Sequence, residues 1–320
     1  MRALITGTGG YLPARVLDND ALAAAYGLDT SDEWIRERTG IRQRHLAAEG
    51  ETASSMGVAA ARQALAQAGA DPASVGAVIV ATSTPDSAFP STAARIQGAL
   101  GCPGGPAFDL SAACAGFIYA LGVAGSLMRS GAVRSALVIG TEVYSRILDW
   151  TDRGTCVLFG DGAGAVLLQA GEDPDRGLLS WHLHADGRHG DILQVEGGAG
   201  STGGTGLLRM AGREVFRHAV AKLASAVDEA LAANRLDRSE VQWLVPHQAN
   251  RRIIDAMGRK LGLPPERVVI TVDRHANTSA ASIPLALAEA TRDGRIQRGD
   301  LVLMEAIGGG LTWGAALARY

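Results

Sequence analysis

Two stretches of the chain repeat each other at a fixed separation of 166 residues, and that spacing constrains the fold more than any other feature. Gln63-Ala-Leu-Ala66, Asp71, Val75 and Val78-Ile79 read again as Glu229-Ala-Leu-Ala232, Asp237, Val241 and Leu244-Val245 (229 − 63 = 166). Residues 111–121 lie over 277–287 at the same offset (277 − 111 = 166). A chain of 320 residues that repeats once near its half-length reads as two copies of one βα unit packed on each other. The copies differ in their chemistry: the first carries Cys114, the second His247 and Asn277.

Apolar, β-branched runs at 3–6, 77–82, 136–140, 163–168, 243–246, 268–271, 301–306 and 315–319 predict buried strands. Ala-rich stretches at 52–68, 114–129, 213–233 and 283–292 predict helices between them. Their alternation predicts right-handed βαβ crossovers and largely parallel sheets covered on both faces. With the duplication, two such sheets share a central helical layer. The charged, turn-rich stretch 171–177 marks the expected boundary between an N-terminal half, 1–172, and a C-terminal half, 173–320. The glycine-rich 197–206 reads as a flexible surface loop, not a phosphate cradle, because no Gly-Lys-Ser/Thr follows it.

A net charge of −3 and a pI near 6.2 leave no global footprint for nucleic acid or an anionic membrane, so any polyanionic partner must meet a local basic patch. Cys102, Cys114 and Cys156 are an odd number in a long chain, which predicts free thiols and a reducing compartment, the cytoplasm by default. The start of the chain, from Met1, has no signal-peptide pattern, and no window nears ~18 consecutive apolar residues, so no membrane span is expected.

Cys114 stands where a strand ends and an Ala-rich helix begins. Unpaired N–H groups and the dipole at a helix N-terminus favour a thiolate, which predicts a nucleophile. His247 follows the strand 243–246, and open sheets place their ligands at strand C-termini. Asn277 is either an N-cap of the following helix or a side-chain donor beside the other two. The turn Gly308-Gly-Gly310 is either a tight strand connection or, through a backbone N–H at Gly309, the partner of the Cys114 N–H in an oxyanion hole. A thiolate takes an acyl group from a thioester, and neutral imidazole and amide donors hold an enolate oxygen, which suits carbon–carbon bond formation. A papain-type hydrolase uses the same three residue types, so the types alone leave both readings open.

In order and spacing these residues resemble β-ketoacyl-acyl-carrier-protein synthase III, the thiolase-superfamily condensing enzymes that start type II fatty-acid synthesis. The resemblance runs over essentially the whole chain and includes Thr30-Ser-Asp-Glu-Trp34, Ala112-Ala-Cys-Ala-Gly116, Thr151-Asp-Arg-Gly154, Leu244-Val-Pro-His-Gln-Ala-Asn250 and Asn277-Thr-Ser-Ala280. It implies a duplicated five-layer αβαβα sandwich with pseudo-twofold symmetry, and catalysis by Cys114, His247 and Asn277. Cys114 would accept the acyl group of acetyl-CoA or another short acyl-CoA. His247 and Asn277 would then stabilise the enolate formed as malonyl-acyl-carrier protein loses carbon dioxide. No metal or redox cofactor is implied, and the Gly308–Gly310 turn lacks the second cysteine of degradative thiolases.

By the same resemblance Trp34 and Arg153 sandwich the CoA adenine, while Thr30, Arg38, Gly212, Phe216, Asn250 and Ile253 line the pantetheine tunnel and its mouth. Arg252, Arg259 and Lys260 match a basic patch that docks the acidic carrier protein. Phe89 matches a residue that crosses a homodimer interface to floor the partner's acyl pocket, and Ile307 shapes the pocket beside Asn277. Ala276 departs from the glycine that many members carry there. His182, His184 and His189 suggest a metal site superficially, but His-Leu-His alternation in a strand is the simpler account. The rival readings are a condensing enzyme of a secondary pathway with another primer, a non-catalytic acyl-CoA-binding relative, and a cysteine hydrolase.

Overall fold

The repeat is realised as two related halves in a computed structural model describing residues 2–320; Met1 lies outside the described residues. In the first half, β1 (Arg2–Tyr11), β2 (Val78–Ala81), β3 (Ala107–Leu110), β4 (Ser135–Glu142) and β5 (Gly162–Gly171) form one sheet in the order β1-β5-β4-β2-β3. In the second, β6 (Gly177–Ala185), β7 (Trp243–Pro246), β8 (Leu301–Gly308) and β9 (Thr312–Arg319) form another in the order β7-β8-β9-β6. Reversed, the second order matches the first with its outer strand missing. The start of β8 lies 166 residues after that of β4 (301 − 135 = 166).

The two central helices obey the same offset. The helices α1 (Ala53–Ala68) and α2 (Thr92–Leu100) cover the outer face of the first sheet, and α4 (Gly212–Asn234) and α5 (Arg251–Leu261) lie on the outer side of the second. Between the sheets lie α3 (Gly116–Arg129) and α6 (Ser282–Arg292), again 166 apart (282 − 116 = 166). This is the five-layer αβαβα sandwich of the thiolase fold. A helix buried on both sides must be apolar nearly all round, and α3 carries one charged residue, Arg129, at its end. It also needs thin places: a Cβ on Gly122 or Gly125 would stand 2.8 or 2.6 Å from the Trp181 ring. One continuous core of residues from both halves fills this middle layer.

Three expectations need correction. The sheets are mixed rather than largely parallel: β1–β5, β5–β4, β8–β9 and β9–β6 are antiparallel, and β4–β2, β2–β3 and β7–β8 parallel. Residues 268–271 are not a strand, although they occupy the place of β3; only a single bridge joins Leu244 to Val268. The Gln248 side chain replaces a ladder there, donating to the Val269 carbonyl (3.0 Å) and accepting from the N–H groups of Thr271 (2.8 Å) and Val272 (3.1 Å). The glycine-rich segment is a hairpin, Leu193–Gly198 paired with Gly204–Met210. Its turn needs positive φ at Gly197 (+77°) and Gly203 (+77°), which glycine adopts freely.

Candidate active site

Cys114 lies in a short 3₁₀ turn, Ala113–Ala115, that enters α3, and its equivalent turn Ser279–Ala281 enters α6 (279 − 113 = 166). Both turns begin with a non-glycine residue at positive φ, Ala113 at +45° and Ser279 at +49°. Such strain persists only where the surrounding packing enforces it. Here each turn is pressed against a strand of the other half. A Cβ on Gly308, in β8, would meet the Cys114 nitrogen at 2.4 Å, and one on Gly140, in β4, would meet the Ala280 oxygen at 2.1 Å. The two halves thus meet at their helix starts, and the site forms there.

His247 leaves the end of β7, with its N–H donating to the Glu305 carbonyl at 2.8 Å. Its Nδ1 lies 2.7 Å from the Ser282 hydroxyl at the start of α6. That hydroxyl already accepts from the Gln248 N–H (3.2 Å), and among its hydrogen bonds only Nδ1 can take its proton. The ring therefore carries its own proton on Nε2. Burial holds His247 down at about 3, so the imidazole is neutral.

Asn277 is clamped by its backbone, its N–H donating to the Leu158 carbonyl (2.9 Å) and its carbonyl accepting from Gly160 (3.0 Å). Its Oδ1 accepts from the Ser279 N–H at 2.8 Å, which leaves the amide NH₂ for the cavity. The capping reading of Asn277 is corrected: its bond to Ser279 is a local turn, and the N-cap positions are Thr278 for the 3₁₀ turn and Ala281 for α6, neither with a side-chain cap. Ala276 sits at φ +58° beside Asn277.

Helix-end activation of Cys114 meets a stronger opposing effect. The thiol is buried in the turn ahead of α3, and burial pushes it up to about 12, although the Ser279 hydroxyl pulls it down. At neutral pH the sulfur rests as a thiol. A papain-like ion pair is also absent: His247 is neutral, and Ser282 rather than Asn277 orients it.

Cys114, His247, Asn277, Ile307 and Gly309 share one cavity of about 1110 Å³, which also reaches Ile253, Phe216, Gly212, Arg38 and Trp34. Thr30 is not in its lining; its buried hydroxyl has no hydrogen-bond partner. Arg153 is not in the lining either. Its guanidinium lies 5.1 Å from the Trp34 ring centre and bonds the Asp29 carbonyl, while Arg38 stands 4.5 Å from the same ring. An adenine between two planar groups needs about 7 Å, so Arg153 must swing aside to form the expected sandwich. Asn250 borders the cavity with both amide ends engaged, donating to the Arg38 carbonyl (3.0 Å) and accepting from the Arg252 N–H (2.8 Å).

Arg252 lies over Phe216 (5.5 Å) in the cavity wall, while Arg259 and Lys260 are exposed further along α5. Phe89 is 85% exposed and outside its own chain's cavity. His182 and His184 both meet Glu229 (3.0 and 2.6 Å), as same-face neighbours in β6, while His189 faces Asp186 (3.6 Å); no group of three metal-ligating side chains occurs among the described residues.

Sequence reasoning missed Ser282, which sets the His247 tautomer, and the hairpin that contributes Leu193, Val195, Leu208 and Met210 to the cavity wall. It also missed a buried polar cluster of Ser279, Tyr144 and Glu142 behind the thiol. The internal repeat held a signal for that cluster, since Ser279 and Glu142 stand opposite Ala113 and Gly308 at the same offset (308 − 142 = 166).

Comparison with known proteins agrees with this geometry. Residues 108–187 match the family model described as 3-oxoacyl-[acyl-carrier-protein (ACP)] synthase III, and residues 231–320 match its C-terminal model. A β-ketoacyl-[acyl-carrier-protein] synthase III of Acidiphilium cryptum is 67% identical over 320 residues, covering 100% of this chain and 99% of the relative. The crystal structure of 3-oxoacyl-[acyl-carrier-protein] synthase III from Aquifex aeolicus superposes with a TM-score of 0.94 at 47% identity, covering 99% of this chain and 100% of that one. The priming β-ketosynthase of the R1128 polyketide pathway superposes with a TM-score of 0.93 at 38% identity, covering 99% and 96%.

Proposed function

The chain belongs to the β-ketoacyl-[acyl-carrier-protein] synthase III family, acyltransferases that condense an acyl-CoA with malonyl-acyl-carrier protein to initiate fatty-acid synthesis, and from this premise we propose how its own residues do so. Cys114 attacks acetyl-CoA, or another short acyl-CoA, and CoA leaves. The tetrahedral oxyanion is held by the backbone N–H groups of Cys114 and Gly309. Malonyl-acyl-carrier protein then enters the vacated cavity, guided by Arg252, Arg259 and Lys260. As carbon dioxide departs, the Nε2–H of His247 and the NH₂ of Asn277 hold the enolate oxygen. Its carbon attacks the acyl-Cys114 carbonyl and releases the 3-ketoacyl-carrier protein.

The observation that carries this reading is a pair of neutral donors and a thiol in one buried cavity. A charged imidazolium would be a stronger acid but costly to bury, whereas a neutral donor needs no counter-ion and stays aimed. Loss of carbon dioxide supplies the carbanion, so no metal or redox cofactor takes part. Tyr144, stacked on Phe159 (4.9 Å), lines the cavity beside Cys114 and supports a short primer. The enzyme acts as a cytoplasmic homodimer in which Phe89 of one protomer reaches its partner. CoA enters along Trp34, Arg38, Gly212, Phe216 and Ile253.

The test is turnover of acetyl-CoA with malonyl-acyl-carrier protein, followed by mass spectrometry of the carrier protein. One 3-ketobutyryl group, one CoA and one carbon dioxide per cycle are expected. No ketoacyl product with any acyl-CoA would overturn the proposal. Product only with longer or branched primers would favour the second reading, a secondary-pathway enzyme, which the likeness to the polyketide priming synthase supports.

A further inference from the structure

Asn277 is held by a frame of hydrogen bonds whose corner lies one residue before β5. There Asp161 is fully buried, and its carboxylate takes three uncharged donors: the Ala47 N–H (2.7 Å), the Ser145 N–H (2.9 Å) and the Ser145 hydroxyl (2.5 Å). Its own N–H donates to the His45 carbonyl at 2.8 Å. One residue thus ties together three segments far apart in sequence: the short strand Gln43–Leu46 with the residue after it, the turn Tyr144–Arg146, and the stretch 158–161. Burying a carboxylate is costly unless its oxygens are hydrogen-bonded, so each of these donors is committed to it.

We propose, on the reading of Asn277 as an enolate donor, that Asp161 is a positioning residue for condensation, fixing the aim of the Asn277 amide from two sides. The first path is backbone. Asn277 is clamped between the Leu158 carbonyl and the Gly160 N–H, and Phe159 bridges it in parallel. Gly160 has no slack: a Cβ there would stand 2.9 Å from the His275 carbonyl oxygen, 3.2 Å from Arg44 Cβ and 3.4 Å from the His45 carbonyl oxygen. The segment is wedged between the strand that Asp161 holds and the residues leading into Asn277, so a shift of either moves the Asn277 backbone.

The second path reaches the side chain. Ser145, held twice by Asp161, follows Tyr144 in the chain. The Tyr144 ring stacks on Phe159 (4.9 Å), and its hydroxyl accepts from the Ser279 hydroxyl at 3.0 Å. The Ser279 N–H in turn donates to Asn277 Oδ1 at 2.8 Å, the bond that leaves the NH₂ facing the cavity. Both paths end on Asn277, the group assigned to the enolate. Neither runs through the turn of Cys114 or through Gly309, the groups assigned to acylation. Asp161 should therefore matter to one half-reaction and not to the other.

The test separates the two half-reactions. Acylation is read by rapid quench and intact mass as an acetyl adduct forms from acetyl-CoA, and condensation as a preformed adduct is discharged by saturating malonyl-acyl-carrier protein. Asp161→Asn keeps the shape but sets an NH₂ against a backbone N–H, and should slow condensation by about tenfold or more while acylation stays within about threefold of the parent. In an Asn277→Ala background the same change should cost less than about threefold, because a residue that acts through Asn277 has nothing left to aim. Ser145→Ala removes one tie of the side-chain path and should slow condensation by about three- to tenfold, which keeps the test decisive if Asp161→Asn does not fold. A carboxylate that merely supports the fold would depress both half-reactions together, or slow condensation by the same factor with and without Asn277. Either result would overturn the proposal, as would parental condensation in both Asp161→Asn and Ser145→Ala. Parental condensation in Asn277→Ala alone would overturn the reading of Asn277 and this inference with it.

Discussion

Gly308→Ala tests how tightly the second half holds the Cys114 turn of the first, the nucleophile of the proposed reaction. A Cβ at 308 would stand 2.4 Å from the Cys114 nitrogen and 3.1 Å from both Ala113 Cβ and Cys114 Cα. Ordinary contact begins near 3.4 Å, so strand and turn must separate by about 1 Å. Both are backbone in a packed core, and no flexible side-chain end can yield instead. A misplacement of about 1 Å at a reacting group costs roughly 100-fold in rate, equivalent to about 2.7 kcal/mol of barrier. The rate of Cys114 acylation by acetyl-CoA, from rapid quench and intact mass, should fall by about that factor. Affinity for CoA should change little, because Trp34, Arg38 and Phe216 lie elsewhere along the cavity. A folded Gly308→Ala protein that acylates within threefold of the parent would refute the claim that Gly308 positions Cys114.

Ser282→Ala should leave His247 Nδ1 and the Gln248 N–H without their shared partner, slowing condensation by about 10- to 100-fold in kcat while acylation changes less than threefold. Ala276→Gly should relieve a φ of +58° and stabilise the protein by about 1 kcal/mol, seen as a rise in Tm with activity kept. Glu305 is buried with neither carboxyl oxygen hydrogen-bonded, and burial pushes it up to about 8. The folded state therefore holds a proton that the unfolded chain releases near 4.5, and stability is lost as pH rises from about 4.5 to about 8. Glu305→Gln should match the parent in stability near pH 4 and exceed it increasingly toward pH 8, by at most about 5 kcal/mol, read as a widening Tm gap; a Tm gap that does not widen with pH would contradict this.

The duplication was legible because the same βα unit needs the same apolar spacing twice, and strands 135–142 and 301–308 keep the offset residue for residue. Strand direction was not legible. The runs at 136–140 and 163–168 are equally apolar, yet one pairs antiparallel to the other, since a strand buried on both faces carries no mark of its neighbour's direction. Residues 268–271 look like a strand because they are buried like one, but Gln248 takes over their hydrogen bonds from a distance in sequence. Within the site, Cys114, His247 and Asn277 stood out by residue type and by their places at helix and strand ends. Their supports did not: Ser282 and Ser279 are ordinary helix-start serines until the fold turns one toward His247 and the other toward the thiol.

The central claim is that Cys114 carries the acyl group between the two half-reactions. Intact-protein mass should show one acetyl adduct after brief exposure to acetyl-CoA, absent in Cys114→Ala. The adduct should disappear on a chase with malonyl-acyl-carrier protein as a 3-ketoacyl product forms. An adduct that persists in Cys114→Ala, or one that malonyl-acyl-carrier protein does not discharge, would contradict the account.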